Sequence, residues 1–127
     1  MKTIAQILKT SLSQQIDALH AEHALEKKDW SKIWGFVKAV LQFLKILTPE
    51  KYDLLIDLVI RLLDLVFGEG KSAHQALLIG NFDRGQVMTA WERVKAILRK
   101  AEILLPERGD VLIEAFIAHV DSILHQA

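Results

Sequence analysis

The stretch KIWGFVKAVLQFLKILTPEKYDLLIDLVIRLLDLVF, residues 32–67, decides the fold because the chain contains it twice. Shifted by 57 positions, it aligns without a gap on residues 89–124, TAWERVKAILRKAEILLPERGDVLIEAFIAHVDSIL. In each copy a proline separates two runs of apolar residues with helical spacing. We interpret the repeat as an internal duplication of an αα-hairpin. The identical pairs are Trp34/Trp91, Val37/Val94, Lys38/Lys95, Ala39/Ala96, Leu41/Leu98, Ile46/Ile103, Leu47/Leu104, Pro49/Pro106, Glu50/Glu107, Asp53/Asp110, Leu55/Leu112, Ile56/Ile113, Ile60/Ile117 and Asp64/Asp121.

The spacing of apolar residues predicts an all-α fold, since no alternating run of β-branched residues favours a strand. We predict helices 1 to 6 over about residues 4–27, 30–47, 49–67, 73–79, 84–105 and 107–125. Thr3 with Gln6, Asp29, Ser72 and Asp83 have the side chains of N-caps. The short linkers predict antiparallel neighbours. The chain should therefore be a single domain, a five- to six-helix bundle with a three-helix unit in residues 1–68 and a related unit in 69–127.

The composition excludes several classes of protein. The 127 residues are enough for one domain with its own hydrophobic core. The absence of cysteine excludes a disulfide framework and thiolate zinc sites. The 16 basic and 16 acidic residues balance, so no overall positive charge favours nucleic acid as a partner. The sequence has neither a secretory signal nor a transmembrane segment, and we expect a cytoplasmic protein.

A cluster on helix 1 has metal-binding residue types. Asp17, His20 and His23, followed by Glu26, have the spacing of one arm of a carboxylate-bridged di-metal site. Such a site needs further acids and a second histidine arm from other helices, and helices 2 and 5 offer none. The acids of helices 3 and 6 lie opposite each apolar face, which indicates a solvated stripe. We therefore predict no metal site.

The loop Gly-Glu-Gly-Lys-Ser, residues 68–72, resembles the end of a phosphate-binding loop. It lacks the preceding strand and the required glycine spacing, so we interpret it as a connection to a helix cap. No serine stands in a nucleophile elbow. We predict no catalytic residue and no cofactor, and a protein that is not an enzyme.

The differences between the two copies predict a contact surface. Copy 1 has five large apolar residues where copy 2 has Arg93, Lys100, Ala115, His119 and Ser122. Their spacing places them on one stripe of helices 2 and 3. Either helix 1 covers this stripe or another chain does. As an interface, the stripe consists of Phe36, Phe43, Leu58, Leu62 and Leu65.

The function predicted from these observations is a non-catalytic protein–protein interaction or assembly module, expected to be a homodimer, whose partner is itself or another protein. One alternative is a binder of an apolar ligand or a membrane surface between helices 2 and 3, with Trp30, Trp34 and Phe36 near the rim. Another, less favoured, is a subunit of a nucleic-acid complex using the basic face of helix 5. That face comprises Arg84, Arg93, Lys95, Arg99, Lys100 and Arg108. If the hairpins fold alike, Trp34 and Trp91 should have equivalent environments.

Overall fold

The structure of the protein, a computed structural model, describes residues 4–126 and confirms the all-α prediction. Among these residues there are six α-helices and no β-strand. Turns of 3₁₀ helix at Glu50–Tyr52 and Glu102–Leu104 and a π-helical turn at Asp64–Gly68 flank them. The helices are α1 (Ile4–Ala21), α2 (Trp30–Leu47), α3 (Asp53–Leu63), α4 (Ala73–Ile79), α5 (Arg84–Ala101) and α6 (Gly109–Gln126).

Side-chain caps fix three of the helix starts where the sequence predicts them. Asp29 before α2, Ser72 before α4 and Asp83 before α5 each accept a hydrogen bond from the backbone N–H three residues later. Such a bond satisfies one of the backbone donors that a helix leaves unpaired at its start. The predicted cap at Thr3 lies outside the described residues.

The first helix is shorter than predicted. It ends at Ala21 and not near residue 27. His23 and Lys28 have left-handed φ angles of 54° and 55°, which turn the chain out of the helix and towards α2. Ala24 lies within this turn and is buried, so the apolar spacing of the sequence continues past the end of the helix. A period alone does not distinguish a helix from a turn that buries one side chain.

Helix α3 runs antiparallel to α5. Tyr52, at the start of α3, lines a groove together with Ile97, near the end of α5. Arg61, near the end of α3, lies over the ring of Phe82, 5.1 Å from its centroid and just before α5. The α3–α5 contact is the most extensive between any two helices of the described chain.

Helix α2 packs on α6 in the related way. Trp30, the first residue of α2, stacks on His119 in the second half of α6 with ring centroids 4.3 Å apart. In the repeat α2 corresponds to α5 and α3 to α6, so the α6–α2 contact is the counterpart of the α3–α5 contact. Leu47 and Thr48 of the first hairpin turn line one groove with Leu104 of the second, so the two turns lie side by side.

Helix α1 covers the outside of this arrangement. Its apolar residues Leu12, Ile16 and Leu19 are buried, and it packs against α2. A Cβ on Gly109 would stand 2.8 Å from Ile16 Cδ1, so the absence of a side chain there permits the close approach of α1 to the start of α6. All six helices contribute to one continuous core, in which no polar or charged residue of the described chain is buried.

Candidate functional site

The first hairpin is held by three hydrogen-bonded side chains. Trp34 Nε1 donates to Asp64 Oδ1 at 2.9 Å, and Lys38 Nζ lies 2.9 Å from Asp64 Oδ2. Trp34 and Lys38 come from α2, and Asp64 follows α3 directly. The group therefore ties the two helices together and satisfies the indole N–H of a buried tryptophan.

The second hairpin contains the same group at the repeat-related positions. Trp91 Nε1 donates to Asp121 Oδ1 at 2.7 Å, and Lys95 Nζ lies 3.0 Å from the same oxygen. Burial alone would raise the pKa of Asp121, but the hydrogen bonds from Trp91 and Lys95 outweigh it and lower that pKa. Trp34 and Trp91 are thus alike in burial, at 3% and 1% exposed, and in their hydrogen-bond partners, and Trp34 in addition stacks on Phe116.

Three of the five residues predicted as an interface lie in the core of the single chain. Phe36, Phe43 and Leu62 are 1%, 6% and 1% exposed. Leu19 of α1 lies beside Phe36, where both line one shallow surface cavity. The alternative in which the chain covers its own stripe therefore applies to these three, and they are not free to contact a partner. The physical reason differs along the stripe: α1 packs along α2 beside Phe36, whereas Leu62 lies on α3, which packs against α2, α4 and α5.

Leu58 and Leu65, the other two predicted interface residues, are half-buried and pack against the core. Leu58 lines a groove between α3 and the start of α5. Leu65 lies beside Phe82 in a separate groove at the end of α3. The five residues therefore do not form one continuous surface.

Exposed aliphatic side chains concentrate instead at the hairpin turns, and they occur in repeat-related pairs. Their exposed fractions run from 47% to 88%. Leu47 and Leu104 line the same groove, which places both turns side by side. We name this surface the apolar end; it consists of Ile46/Ile103, Leu47/Leu104 and Leu54/Val111.

The groove at the centre of the apolar end has a volume of about 260 Å³. Leu44 and Ala101, a further repeat-related pair, are buried at its base, and Leu47 and Leu104 form its rim. The two hairpins therefore each contribute the same two positions of the repeat to this groove.

Both signs of charge surround the apolar end. Each turn carries an exposed acid followed by an exposed base, Glu50-Lys51 in the first and Glu107-Arg108 in the second. Such a rim creates no single-signed field for attracting a polyanion or an anionic lipid surface.

One charged position beside the apolar end differs between the hairpins. Lys45 Nζ lies 2.6 Å from Asp57 Oδ1 in the first hairpin. The repeat-related residues in the second are two acids, Glu102 and Glu114. Burial, then repulsion by Glu114, raises the pKa of Glu102 to about 7. Glu102 Oε1 is buried without a hydrogen-bond partner among residues 4–126.

A second cavity, of about 340 Å³, lies at the opposite end of the bundle. Val66 and Ile123, which are repeat-related, both line it. Lys71, His74 and His119 line it too, and its lining contains no acidic residue. The two ends of the bundle thus differ in chemistry, one aliphatic and the other basic.

His119 is held in place at this basic cavity by aromatic contacts. Its ring stacks on Trp30 with an interplanar angle of 7°, and the ring of Phe67 lies 5.9 Å away. Burial, then the positive charge of Lys28, lowers the pKa of His119. The ring is therefore neutral at pH 7 and able to donate one hydrogen bond.

His20 and His23, the histidines of the cluster on helix 1, are half-buried and exposed, respectively. His23 Nδ1 is 3.9 Å from a carboxylate oxygen of Glu26, and both side chains are exposed. His20 Nε2 lies 3.5 Å from the backbone oxygen of Arg108. Within the described part of the chain, no three histidine, cysteine or acidic side chains are grouped so as to hold a metal ion.

The basic residues of α5 are largely paired within the chain. Lys95 contacts both Glu92, at 2.8 Å, and Asp121. Arg99 Nε lies 3.3 Å from Glu114 Oε1. These pairs use the donors that a phosphate backbone would need, so the continuous basic face expected from the sequence is interrupted.

The sequence reasoning missed both the apolar end and the basic cavity. It compared the copies where they differ, whereas the apolar end lies where they agree, at Ile46/Ile103 and Leu47/Leu104. The signal was present, since an aliphatic pair beside a helix-breaking proline in both copies is close to a solvent-exposed turn. The basic cavity carried no such signal, because its residues come from two distant parts of the chain.

Comparisons of the chain with protein-family models, with curated proteins and with solved structures gave no match. Within residues 4–126, none of the helices combines the length and apolarity needed to cross a membrane.

Proposed function

We propose that the protein is a cytoplasmic, non-catalytic helical assembly module that forms a homodimer through the apolar end. The observation that supports this most is that three repeat-related pairs of aliphatic side chains are exposed at or next to the hairpin turns, and that one pair, Leu47 and Leu104, lines a shared groove. Monomeric proteins seldom expose a contiguous apolar patch without a partner to cover it.

The size of the apolar end is adequate for stable association. Fully burying one large aliphatic side chain contributes about 1.5–3 kcal/mol. Association costs about 4–15 kcal/mol in lost translational and rotational freedom. Six such side chains from each copy therefore contribute an amount within or above the range of that cost.

The charges around the apolar end favour a second copy of this chain as the partner. Each turn presents one acid and one base, Glu50-Lys51 and Glu107-Arg108. In a twofold contact, an acid of one copy that meets a base of the other is matched by the reciprocal pair. A rim that carries both signs of charge is therefore compatible with self-association, whereas a uniformly charged partner would meet like charges at half of its positions.

The other two functions are supported less. Trp34 and Phe36 are buried and Trp30 packs against the rings of α6, so the rim expected for an apolar ligand between α2 and α3 is closed. Nucleic-acid binding through α5 is disfavoured by the ion pairs of Lys95 and Arg99.

The test is a double substitution in the apolar end, Ile46→Glu with Ile103→Glu, measured by analytical ultracentrifugation. Placing two carboxylates in an apolar contact should raise the dimer Kd at least about 100-fold while the helical circular dichroism is unchanged. The matched control is Leu78→Glu with Ile79→Glu, two similarly exposed aliphatic residues of α4, and it should still form the dimer. A parent protein that is monomeric at high micromolar concentration would refute the proposal.

A further inference from the structure

We infer that the basic cavity, lined by Val66, Lys71, His74, His119 and Ile123, is a binding site for a small organic monocarboxylate with a compact apolar body. This cavity lies at the end of the bundle opposite the apolar end. Neither proposal depends on the other.

The first argument is the position of Lys71. Its backbone N–H donates to Leu65 O at 3.0 Å, which fixes the loop against the π-helical turn. Gly70, with φ of 72°, supplies the left-handed turn that brings Lys71 to the cavity. The Lys71 side chain is half-buried, and it has no carboxylate partner within residues 4–126. An anionic ligand in the cavity that Lys71 lines would supply a counter-charge for its ammonium group.

The second argument is the charge of the whole lining. Lys71 provides one full positive charge, and His119 is a neutral hydrogen-bond donor near pH 7. His74 and Lys28 add further basic groups around the His119 ring, and no acid lines the cavity. One full charge with neutral donors matches a carboxylate better than a phosphate dianion, which is usually bound by several cations or a row of backbone N–H groups.

The third argument is the apolar part of the cavity. Val66, Ala73 and Ile123 supply its aliphatic wall, and its volume of about 340 Å³ is at the lower end of small-molecule sites. A purely inorganic anion would leave this wall uncovered. A ligand with a carboxylate at Lys71 and a short hydrocarbon body on the wall uses both halves of the cavity.

The position of His119 in the repeat also supports a binding site. His119 occupies the station of Leu62, which is buried in the first hairpin. The second hairpin thus has a polar ring at a position that accommodates leucine in the related fold. The stacking on Trp30 holds that ring at the edge of the cavity with a defined orientation.

The experiment is a titration of the full chain with hexanoate at pH 7, followed by ¹⁵N–¹H NMR of the imidazole of His119 and by calorimetry. Hexanoate should bind saturably, and 1-hexanol, acetate and inorganic phosphate should each bind at least about ten-fold more weakly. Lys71→Met keeps the aliphatic stem and removes the charge, and it should weaken hexanoate binding at least about ten-fold. Lys100→Met, at the apolar end, is the matched control and should bind as the parent does.

A second variant, His119→Leu, introduces the residue of the related hairpin and should also weaken hexanoate binding while the fold is retained by circular dichroism. The inference is overturned if hexanoate does not saturate below about 10 mM, a concentration at which any binding is too weak to be selective. It is overturned equally if hexanol or phosphate binds as tightly as hexanoate, or if Lys71→Met binds hexanoate unchanged.

Discussion

The two hairpins are closed by the same group of hydrogen-bonded side chains, a tryptophan, a lysine and an aspartate that we call the fastening. They differ in what surrounds them. Both place a tryptophan and a lysine of the first helix on an aspartate of the second, with nearly equal distances. The first hairpin buries Phe36 beneath α1, whereas the second exposes Arg93 at the related position. The comparison shows that one hairpin sequence can be adapted to a covered or an exposed environment without altering the contacts that close it.

The hairpins also differ in how tightly the shared fastening is enclosed. The side chain of Lys38 is 35% exposed and that of Lys95 only 12%. The Asp64 and Asp121 side chains differ in the same direction, at 42% and 32%. An ion pair contributes more when water is excluded from it, so the second fastening should matter more to stability.

The largest effect should come from giving the first hairpin the surface residues of the second, Phe36→Arg with Phe43→Lys. Two charges would enter a core that has no partner for them, and the free energy of unfolding should fall by at least about 4 kcal/mol. Urea denaturation followed by circular dichroism measures this. Arg93→Ala with Lys100→Ala, at exposed positions, should change it by less than about 0.5 kcal/mol. A folded, fully stable double variant would show that α1 does not cover the stripe.

A smaller loss of stability should distinguish the fastening of the second hairpin from that of the first. Asp121→Asn should lower the free energy of unfolding by about 2 kcal/mol, because it removes the charge that pairs with the enclosed Lys95. Asp64→Asn should cost about 1 kcal/mol, since water already solvates part of its ion pair. Equal losses in chemical denaturation would mean that enclosure does not distinguish the hairpins.

The same substitution should alter the acid limb of the stability profile. The pKa of Asp121 is lowered in the folded chain, so its contribution is present above the pKa of the unfolded chain and is lost as pH falls through the folded value. Asp121→Asn should therefore flatten part of the stability loss in acid. Thermal denaturation at a series of pH values from neutral downwards measures this. If Asp121→Asn loses stability with falling pH as steeply as the parent does, the carboxylate is not responsible.

The last effect, which depends on pH, concerns Glu102 and Glu114. The folded pKa of Glu102, about 7, lies well above the ordinary range of a glutamate, so this residue stabilises the fold most at low pH. That contribution is lost as pH rises from about 4.5 through 7, at a cost of about 1–2 kcal/mol. Glu102→Lys would recreate the Lys45–Asp57 pair of the first hairpin and should be more stable than the parent at pH 8.

Two control variants, one at Glu102 itself and one at an exposed glutamate of the same turn, test this prediction. Glu102→Gln should abolish the pH dependence between about pH 5 and 8 without adding an ion pair. Glu107→Lys, at an exposed position of the turn, should leave that dependence intact. A parent protein whose melting temperature is constant over this pH range would contradict the raised pKa of Glu102.

The sequence by itself determined the helices and three of their caps. It did not predict the group of Trp, Lys and Asp that closes each hairpin, because Asp64 and Asp121 were expected in a solvated stripe. Asp29, Ser72 and Asp83 cap their helices through bonds that span three residues, so local sequence is sufficient to find them. The similar burial of Trp34 and Trp91 follows from the repeat, because the two residues occupy the same position in two related hairpins. The end of α1 escaped prediction because His23 and Lys28 turn the chain without interrupting its apolar period.

Only the tertiary structure decided what covers each surface. The apolar spacing of helices 2 and 3 marks Phe36, Phe43 and Leu62 as faces to be buried, but it does not specify whether α1 or another chain buries them. In the same way, Glu102 acquires its pKa of about 7 from enclosure near an acid of α6, and Lys71 meets His119 only in the folded bundle. Periodicity is a property of one helix, whereas burial and charge pairing depend on elements that are distant in the chain and meet only on folding.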